Sequence, residues 1–304
     1  ATAANTGGAA FRTGEGVDLK VVSGTNYAIA SATAGEWAEY TVDVAAAGTY
    51  KLEVRAAAAA AGGKVHAELR DPATDAVAAA LGGSIAVPNT GSTSTFATVS
   101  KTAALPAGRY VLRLAIDANA TNGVAGVFDW LKLSAVPVTV KSTAAAYVRG
   151  GTSAGANFGA ATDLSVRKAA TAADTRETYI KFDLAAAGVA ALTSAKLRLY
   201  GRLSDTSVGS LATTVYSAAD TAWGESTITW NNKPAAGTTS RGTVTVGGTA
   251  AKWYELDLTA FLKAELAAGR GVVTLVLRNG ATSTAQSLFA GDEQANGPQL
   301  VVVR

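Results

Sequence analysis

The sequence predicts an all-β protein: two β-sandwich domains of jelly-roll type in tandem, with one short helix in the second. Three observations carry that expectation. Apolar and polar residues alternate with period two, the mark of strands with one buried face. Clusters of Gly, Pro, Asn and Asp interrupt the pattern at intervals of roughly 10–15 residues, as in sandwiches and barrels. A helical period emerges only in Thr259–Ala268 (TAFLKAELAA), where Phe261, Leu262 and Leu266 share a face, Thr259 stands near the cap and Gly269 is the stop. A length of 304 residues suits two domains. The stretch Ser134–Val138, with Pro137, reads as a short linker, which gives domains 1–135 and 136–304.

Within the first half, Leu19–Val22 follows the turn Thr13–Gly16, and Asn26–Thr33 is a loop or short strand. The plainest hairpin is Gly35–Arg55. Ala38, Tyr40, Val42 and Val44 take one face, and Trp37, Glu39, Thr41 and Asp43 the other. Ala46–Gly48 turns the chain, and Tyr50, Leu52 and Val54 then face inward. In Lys64–Arg70, Val65, Ala67 and Leu69 point in, and His66 and Glu68 point out. Ser94–Ser100, Tyr110–Ile116 and Val127–Leu133 complete the half, with Trp130 on the core register. In the second half the strands expected are Ala146–Arg149, Asp163–Lys168, Glu177–Leu184, Ser194–Gly201, Thr213–Ala218, Gly242–Val246, Trp253–Leu256, Val272–Leu277 and Gln299–Val303.

Composition excludes several chemistries. The chain has no cysteine, hence no disulfide or thiolate metal site, and its one histidine, His66, rules out a multi-histidine metal centre. No apolar run approaches the ~18 residues of a membrane helix, so no membrane partner is expected. The net charge of +3 is uneven. Up to residue 136 there are 10 Lys/Arg against 11 Asp/Glu, and 16 against 12 thereafter. Neither half holds a dense basic cluster, so nucleic acid is not an expected partner. No carboxylate pair can be placed face to face for glycosidase chemistry, and no catalytic residue is expected. A chain without methionine, even at position 1, reads as a processed or excised piece of something longer.

The segments Gly7–Leu19 (GGAAFRTGEGVDL), Ala34–Arg55 (AGEWAEYTVDVAAAGTYKLEVR), Val87–Ser100 (VPNTGSTSTFATVS), Leu105–Leu114 (LPAGRYVLRL) and Gly126–Leu133 (GVFDWLKL) resemble the family 6 carbohydrate-binding modules. That resemblance implies a jelly-roll that binds glycan at a loop end or on a concave face. It also implies a structural calcium, for which Asp129 is the candidate by position. The family's two loop-end aromatics would fall at Ser31 and Thr93, with Tyr27 nearby, so the loop-end site is expected to be weakened or rebuilt. The concave-face tryptophan matches Trp37, with Glu39, His66 and Glu68 as companions by strand alternation. On the residues alone, Trp37 is either a sheet-edge filler or a sugar-stacking surface.

Segments Ala146–Lys168 (AYVRGGTSAGANFGAATDLSVRK), Thr175–Leu184, Thr193–Gly201, Ala222–Pro234 (AWGESTITWNNKP), Trp253–Thr259 and Pro298–Val302 are similar to DNRLRE-type domains, carbohydrate-binding module family 96. This implies a second sandwich attached to secreted polysaccharide lyases and hydrolases, some members binding alginate. Arg149, Arg167, Lys181, Lys196 and Arg198 fall on polar registers, with Tyr147 and Tyr179. If those strands share one sheet they form a basic face suited to a carboxylate or sulfate. Trp223, Trp230 and Trp253 read as structural. The reading is a non-catalytic tandem from a secreted, extracellular bacterial enzyme, with the parent catalytic domain in cis. The first half would take neutral glycan and the second an acidic glycan such as a polyuronate. The alternative is a structural or adhesive cell-surface segment with degenerate glycan sites.

Overall fold

A computed structural model describes residues 16–304, and the chain divides into two compact units, 1–136 and 137–304. The first unit holds β1 (Leu19–Ser23), β2 (Asn26–Ala32), β3 (Trp37–Val44), β4 (Gly48–Ala57), β5 (Lys64–Arg70), β6 (Val77–Ala80), β7 (Ile85–Ala86), β8 (Ala97–Leu105), β9 (Gly108–Ala118) and β10 (Gly126–Ala135). One sheet runs β1-β2-β10-β4-β8 and the other β3-β9-β5-β6, with β7 against β5. The two inner faces meet in a core that includes Leu52, Val54, Val65, Ala67, Leu69, Leu112, Leu114 and Phe128. Period-two alternation along β4, β5 and β9 thus converts directly into one dry face and one polar face per strand.

Two inward expectations of this half fail for local reasons. Trp130 is 39% exposed. Between Phe128 and Trp130 the pairing of β10 with β4 shifts by one residue, Phe128 opposing Ala56 and Trp130 opposing Arg55. The extra residue is Asp129, and a bulge of this kind flips everything beyond it to the other face. Tyr40 is 46% exposed on β3, the outermost strand of its sheet among the described residues.

The second unit holds β11 (Val138–Lys141), β12 (Ala144–Arg149), β13 (Asp163–Val166), β14 (Arg176–Asp183), β15 (Ser194–Leu203), β16 (Ser210–Ala218), β17 (Gly242–Gly247), β18 (Lys252–Asp257), α1 (Thr259–Ala267), β19 (Val272–Asn279), β20 (Ser287–Ala290) and β21 (Gln299–Val303). Its sheets are β12-β14-β19-β16-β17 and β11-β21-β15-β20-β13, with β18 on the free side of β15. Part of the expected linker is strand: β10 runs to Ala135 and β11 begins at Val138. The helix starts where Asp257 Oδ1 accepts the Thr259 N–H at 2.7 Å, and ends before Gly269 at φ 74°.

One feature of this unit governs its surface. A second, smaller core lies on the outer face of the β12-β14-β19-β16 sheet, joining Ala144, Ala146, Val148, Tyr179 and Val276 to Trp223 and Ile228, with Trp230 against it. The segment that follows β16 therefore covers a face that alternation marks as polar, and β12 and β14 are buried on both sides.

Candidate functional site

The outer face of β3-β9-β5 brings Trp37, Glu39, His66 and Glu68 together. Register places Trp37, Ala115 and His66 in one row across three strands, and Glu39, Arg113 and Glu68 in the next. Neighbouring strands lie about 4.8 Å apart, so Trp37 and His66 face each other across about 10 Å. Only the Ala115 methyl stands between them, which leaves a shallow trough. Trp37 is 57% exposed. The Arg113 guanidinium lies over one face of its ring, 4.8 Å from the centroid, and donates through Nε to Glu39 Oε1 at 2.6 Å. That contact fixes the ring and leaves its other face to solvent.

Beyond the trough the charges are paired in sequence. Arg113 reaches Asp75 Oδ1 at 3.2 Å, Arg70 Nε donates to the same oxygen at 2.7 Å, and Arg70 also holds Glu68. His66 Nδ1 meets the Asp117 carboxylate. Hydrogen bonding to Arg70, and the Arg113 charge, hold the Asp75 carboxyl below its usual range. Arg113, Asp75 and Asp117 escaped the sequence reading. The outward register of Arg113 in YVLRLAI was the signal available.

The loop end is rebuilt in polar chemistry. Ser31 and Thr93 line a pocket of about 310 Å³ with Lys20 and Asn122. Lys20 Nζ donates to the Thr93 carbonyl at 3.1 Å and to the Ser94 hydroxyl at 2.8 Å. Ser31 has φ 53°, a conformation that costs a non-glycine residue on the order of 1–3 kcal/mol. Tyr27 does not line this pocket; it lines a cleft of about 930 Å³ between the sheets, as Asp129 does. Asp129, the calcium candidate, is taken by the Arg55 guanidinium, and a carboxylate so neutralised does not fit a divalent cation.

In the second unit the single basic face is corrected. Lys196 and Arg198 lie on β15, in the sheet opposite to that of Arg149 and Lys181. Arg149 and Lys181 themselves fall on opposite faces, because Arg149 pairs with Arg176 and Lys181 with Ala144. Tyr179 is fully buried, its hydroxyl 2.9 Å from the Pro234 carbonyl, and Lys181 donates to the Trp223 carbonyl. Both lie under the covering segment and cannot meet a glycan on the face expected for them.

What the structure does assemble is an arginine row. Arg149 opposes Arg176 across β12 and β14, and Arg176 opposes Arg167 through a bridge beyond β13. Asp174 lies within the electrostatic reach of all three and binds Arg149 Nη2 at 2.6 Å. Arg176 is pushed below its ordinary value, first by burial and then by the Arg149 and Arg167 charges, with the Tyr147 and Asp174 groups nearby working in part against that. The Nε atoms of Arg149 and Arg176 are buried without a partner. Tyr147, stacked on Phe158 at 4.4 Å, borders the row. Adjacent like charges destabilise a sheet, so the arrangement suits an anion. Arg176, in TRETY, stands one residue before the strand expected at Glu177–Leu184, whereas β14 begins at Arg176 itself.

Among the described residues three carboxylates converge at Glu225, Asp292 and Glu293, with oxygens within 4.8 Å of one another. Burial, then the Glu225 charge and a hydrogen bond to it, push Asp292 up to about 7. Its ordinary value is 3.8. A carboxyl whose folded pKa is raised binds more protons folded than unfolded between those two values. Its contribution to stability is complete below about 4 and is lost as pH rises through about 7. The unfolding midpoint of the second unit should therefore fall as pH rises from ~4 to ~7, and Asp292→Asn should flatten that slope. An equal slope in the variant would show that another group is responsible.

Comparison with known proteins adds the lineage. The description "Carbohydrate-binding module family 96" matches residues 136–304, and "Carbohydrate binding module (family 6)" matches residues 8–135. A gellan lyase from a Bacillus species is 33% identical over 129 residues, which is 42% of this chain and 5% of that protein. The chain thus spans a small fraction of that relative's length. Among solved structures, the C-terminal family 6 module of a marine laminarinase from Zobellia galactanivorans is 26% identical, covering 38% of this chain and 86% of that one, at a TM-score of 0.33. A family 6 module of a Cellvibrio mixtus lichenase, solved with cellotriose, is 24% identical over 39% and 86%, at 0.32. The chain belongs to carbohydrate-binding module family 96 through its second unit and carries a family 6 carbohydrate-binding module in its first.

Proposed function

We propose that the chain is a non-catalytic tandem that holds a secreted polysaccharide-degrading enzyme on its polymer, the first unit taking neutral glycan and the second acidic glycan. The observation that carries the reading is Trp37. It is a large apolar ring more than half exposed on a sheet face, propped on one side by Arg113 and bordered by an Ala115 floor. A flat ring of this kind stacks on the C–H face of a pyranose and loses little entropy in doing so. Glu39, His66 and Glu68 surround it with acceptors and a ring nitrogen that can meet sugar hydroxyls. For the second unit, the support is the row Arg149, Arg176 and Arg167, three half-buried guanidinium groups in adjacent strand positions with one carboxylate, Asp174, bound to Arg149, a set that suits a carboxylate or sulfate. A relative named as a gellan lyase supports the setting within a polysaccharide-degrading protein.

The experiment is Trp37→Ala in the intact chain. A stacking ring contributes on the order of 1–3 kcal/mol, taking aromatic–base stacking as the nearest analogue. Affinity for a soluble neutral β-glucan, read by affinity electrophoresis or calorimetry, should fall roughly 5- to 150-fold. The unfolding midpoint should hold, because the ring lies outside the core. Unchanged affinity would remove the trough from consideration. The reading of an adhesive segment with degenerate sites rests on the loop end, where Ser31 and Thr93 offer no ring. It would gain ground if the intact chain bound no glycan in a panel of neutral and acidic polymers.

A further inference from the structure

The cross-strand construction around Trp37 occurs a second time, in the other unit. In the first unit Trp37-Ala38-Glu39 runs antiparallel to Arg113-Leu114-Ala115, with Trp37 opposite Ala115 and Glu39 opposite Arg113. In the second unit Trp253-Tyr254-Glu255 runs antiparallel to Arg198-Leu199-Tyr200, with Trp253 opposite Tyr200 and Glu255 opposite Arg198. The arginine covers the tryptophan ring in both, at 4.8 Å for Arg113 and 4.3 Å for Arg198. The glutamate two residues beyond the tryptophan clamps that arginine in both, Glu39 at 2.6 Å and Glu255 at 3.2 Å. Among the described residues each tryptophan also lies on a strand with a single hydrogen-bonded neighbour, β3 on β9 and β18 on β15.

We propose that the outer face of β18 and β15 is a second glycan-stacking site, built on Trp253 and Tyr200 and taking a neutral pyranose segment of a polysaccharide. The inference rests on the carbohydrate-binding reading above and extends it to a face that reading does not use. One difference sets its shape. Tyr200 stands where Ala115 stands in the first unit, its ring 5.3 Å from that of Trp253 and tilted by 60°. The trough is thus replaced by a two-ring surface that meets a chain along its length. The charge around it selects the ligand class. Lys196 and Arg198 both bind Glu255, Lys196 also opposes Asp257, and Arg202 is paired with Asp163. These cations are balanced, in contrast to the arginine row at Arg176, so stacking and hydroxyl contacts to Gln299 and Glu255 dominate over charge.

The test uses the intact chain with laminarin and hydroxyethyl cellulose as neutral probes, at low and high salt. Trp37→Ala should leave residual binding that salt barely changes. Adding Trp253→Ala should lower that residue roughly 5- to 150-fold. Because Trp253 is half-buried, Tyr200→Ala serves as the second variant, and the unfolding midpoint of each is recorded. Tyr200→Ala keeps the Arg198–Trp253 contact and should weaken binding with the fold intact. The proposal is overturned if Trp37→Ala alone abolishes neutral-glycan binding, or if Tyr200→Ala and Trp253→Ala leave the residue unchanged. If instead Trp37→Ala binds at full strength and Trp253→Ala does not, the trough fails and this site stands. An intact chain that binds neither probe overturns both.

Discussion

Glu177→Ala should destabilise the second unit by about 3–5 kcal/mol, the cost of removing one partner from a buried charge network. Glu177 is buried on β14 and meets three groups at once. Lys233 Nζ donates to Oε2 at 2.7 Å, Arg278 Nε lies 2.9 Å from Oε1, and the Tyr179 hydroxyl is 3.2 Å from Oε2. Burial already holds the Lys233 amine below its usual value, and the Glu177 charge works against that burial. Without the carboxylate, Lys233 is left as an uncompensated, mostly buried cation, and Arg278, 35% exposed, loses its ion pair. The consequence extends beyond one contact, because Lys233 belongs to the segment whose Trp223 and Trp230 cover β12 and β14. Glu177→Gln, which keeps acceptor capacity without charge, should lose less. Urea unfolding of the intact chain resolves the effect, since only the second unit's transition should move. A shift under ~1 kcal/mol would mean that the covering segment is held by its apolar contacts alone.

How much of this was legible in the sequence differs by residue. Val65, Ala67 and Leu69 are buried as alternation requires, because β5 lies mid-sheet with one face on the core. Trp130 was misassigned because a bulge leaves no trace in hydrophobic periodicity: Asp129 is one polar residue among alternating neighbours, and only its opposition to β4 reveals the extra step. Tyr179 and Lys181 fail for a different reason. Alternation identifies which residues share a face, but not whether a later segment lies over it, and AWGESTITW returns across this one. Sheet membership was the third gap. Arg149 and Arg198 look equivalent on paper and stand in different sheets. Trp37, Glu39, His66 and Glu68 were placed on one face correctly because β3 and β5 flank β9 and share its register.

Strand register in the second unit carries an expectation about binding: Arg176→Ala should lower its affinity for alginate roughly 10- to 150-fold. A hydrogen bond to a charged group contributes about 1.5–3 kcal/mol, and Arg176 is the middle member of the row. It opposes both Arg149 and Arg167, while Asp174 is the carboxylate bound to Arg149. Three cations in adjacent strand positions repel one another at a cost of several tenths of a kcal/mol per opposed pair. An arriving carboxylate relieves that repulsion as well as gaining its own contacts. Two signatures follow. Alginate binding should weaken steeply between low and high salt, since exposed charge–charge attraction is screened over about 8–10 Å near physiological ionic strength. Stability of the unliganded variant should change little, because loss of the Arg176 contacts to Ser165 and Gln286 is offset by relief of two like-charge pairs. A merely structural arginine would give the reverse, a lowered unfolding midpoint with alginate affinity intact wherever the fold survives. Binding that is equal at both salt concentrations, or equal in Arg176→Ala and the parent, would show that the row does not hold the polymer.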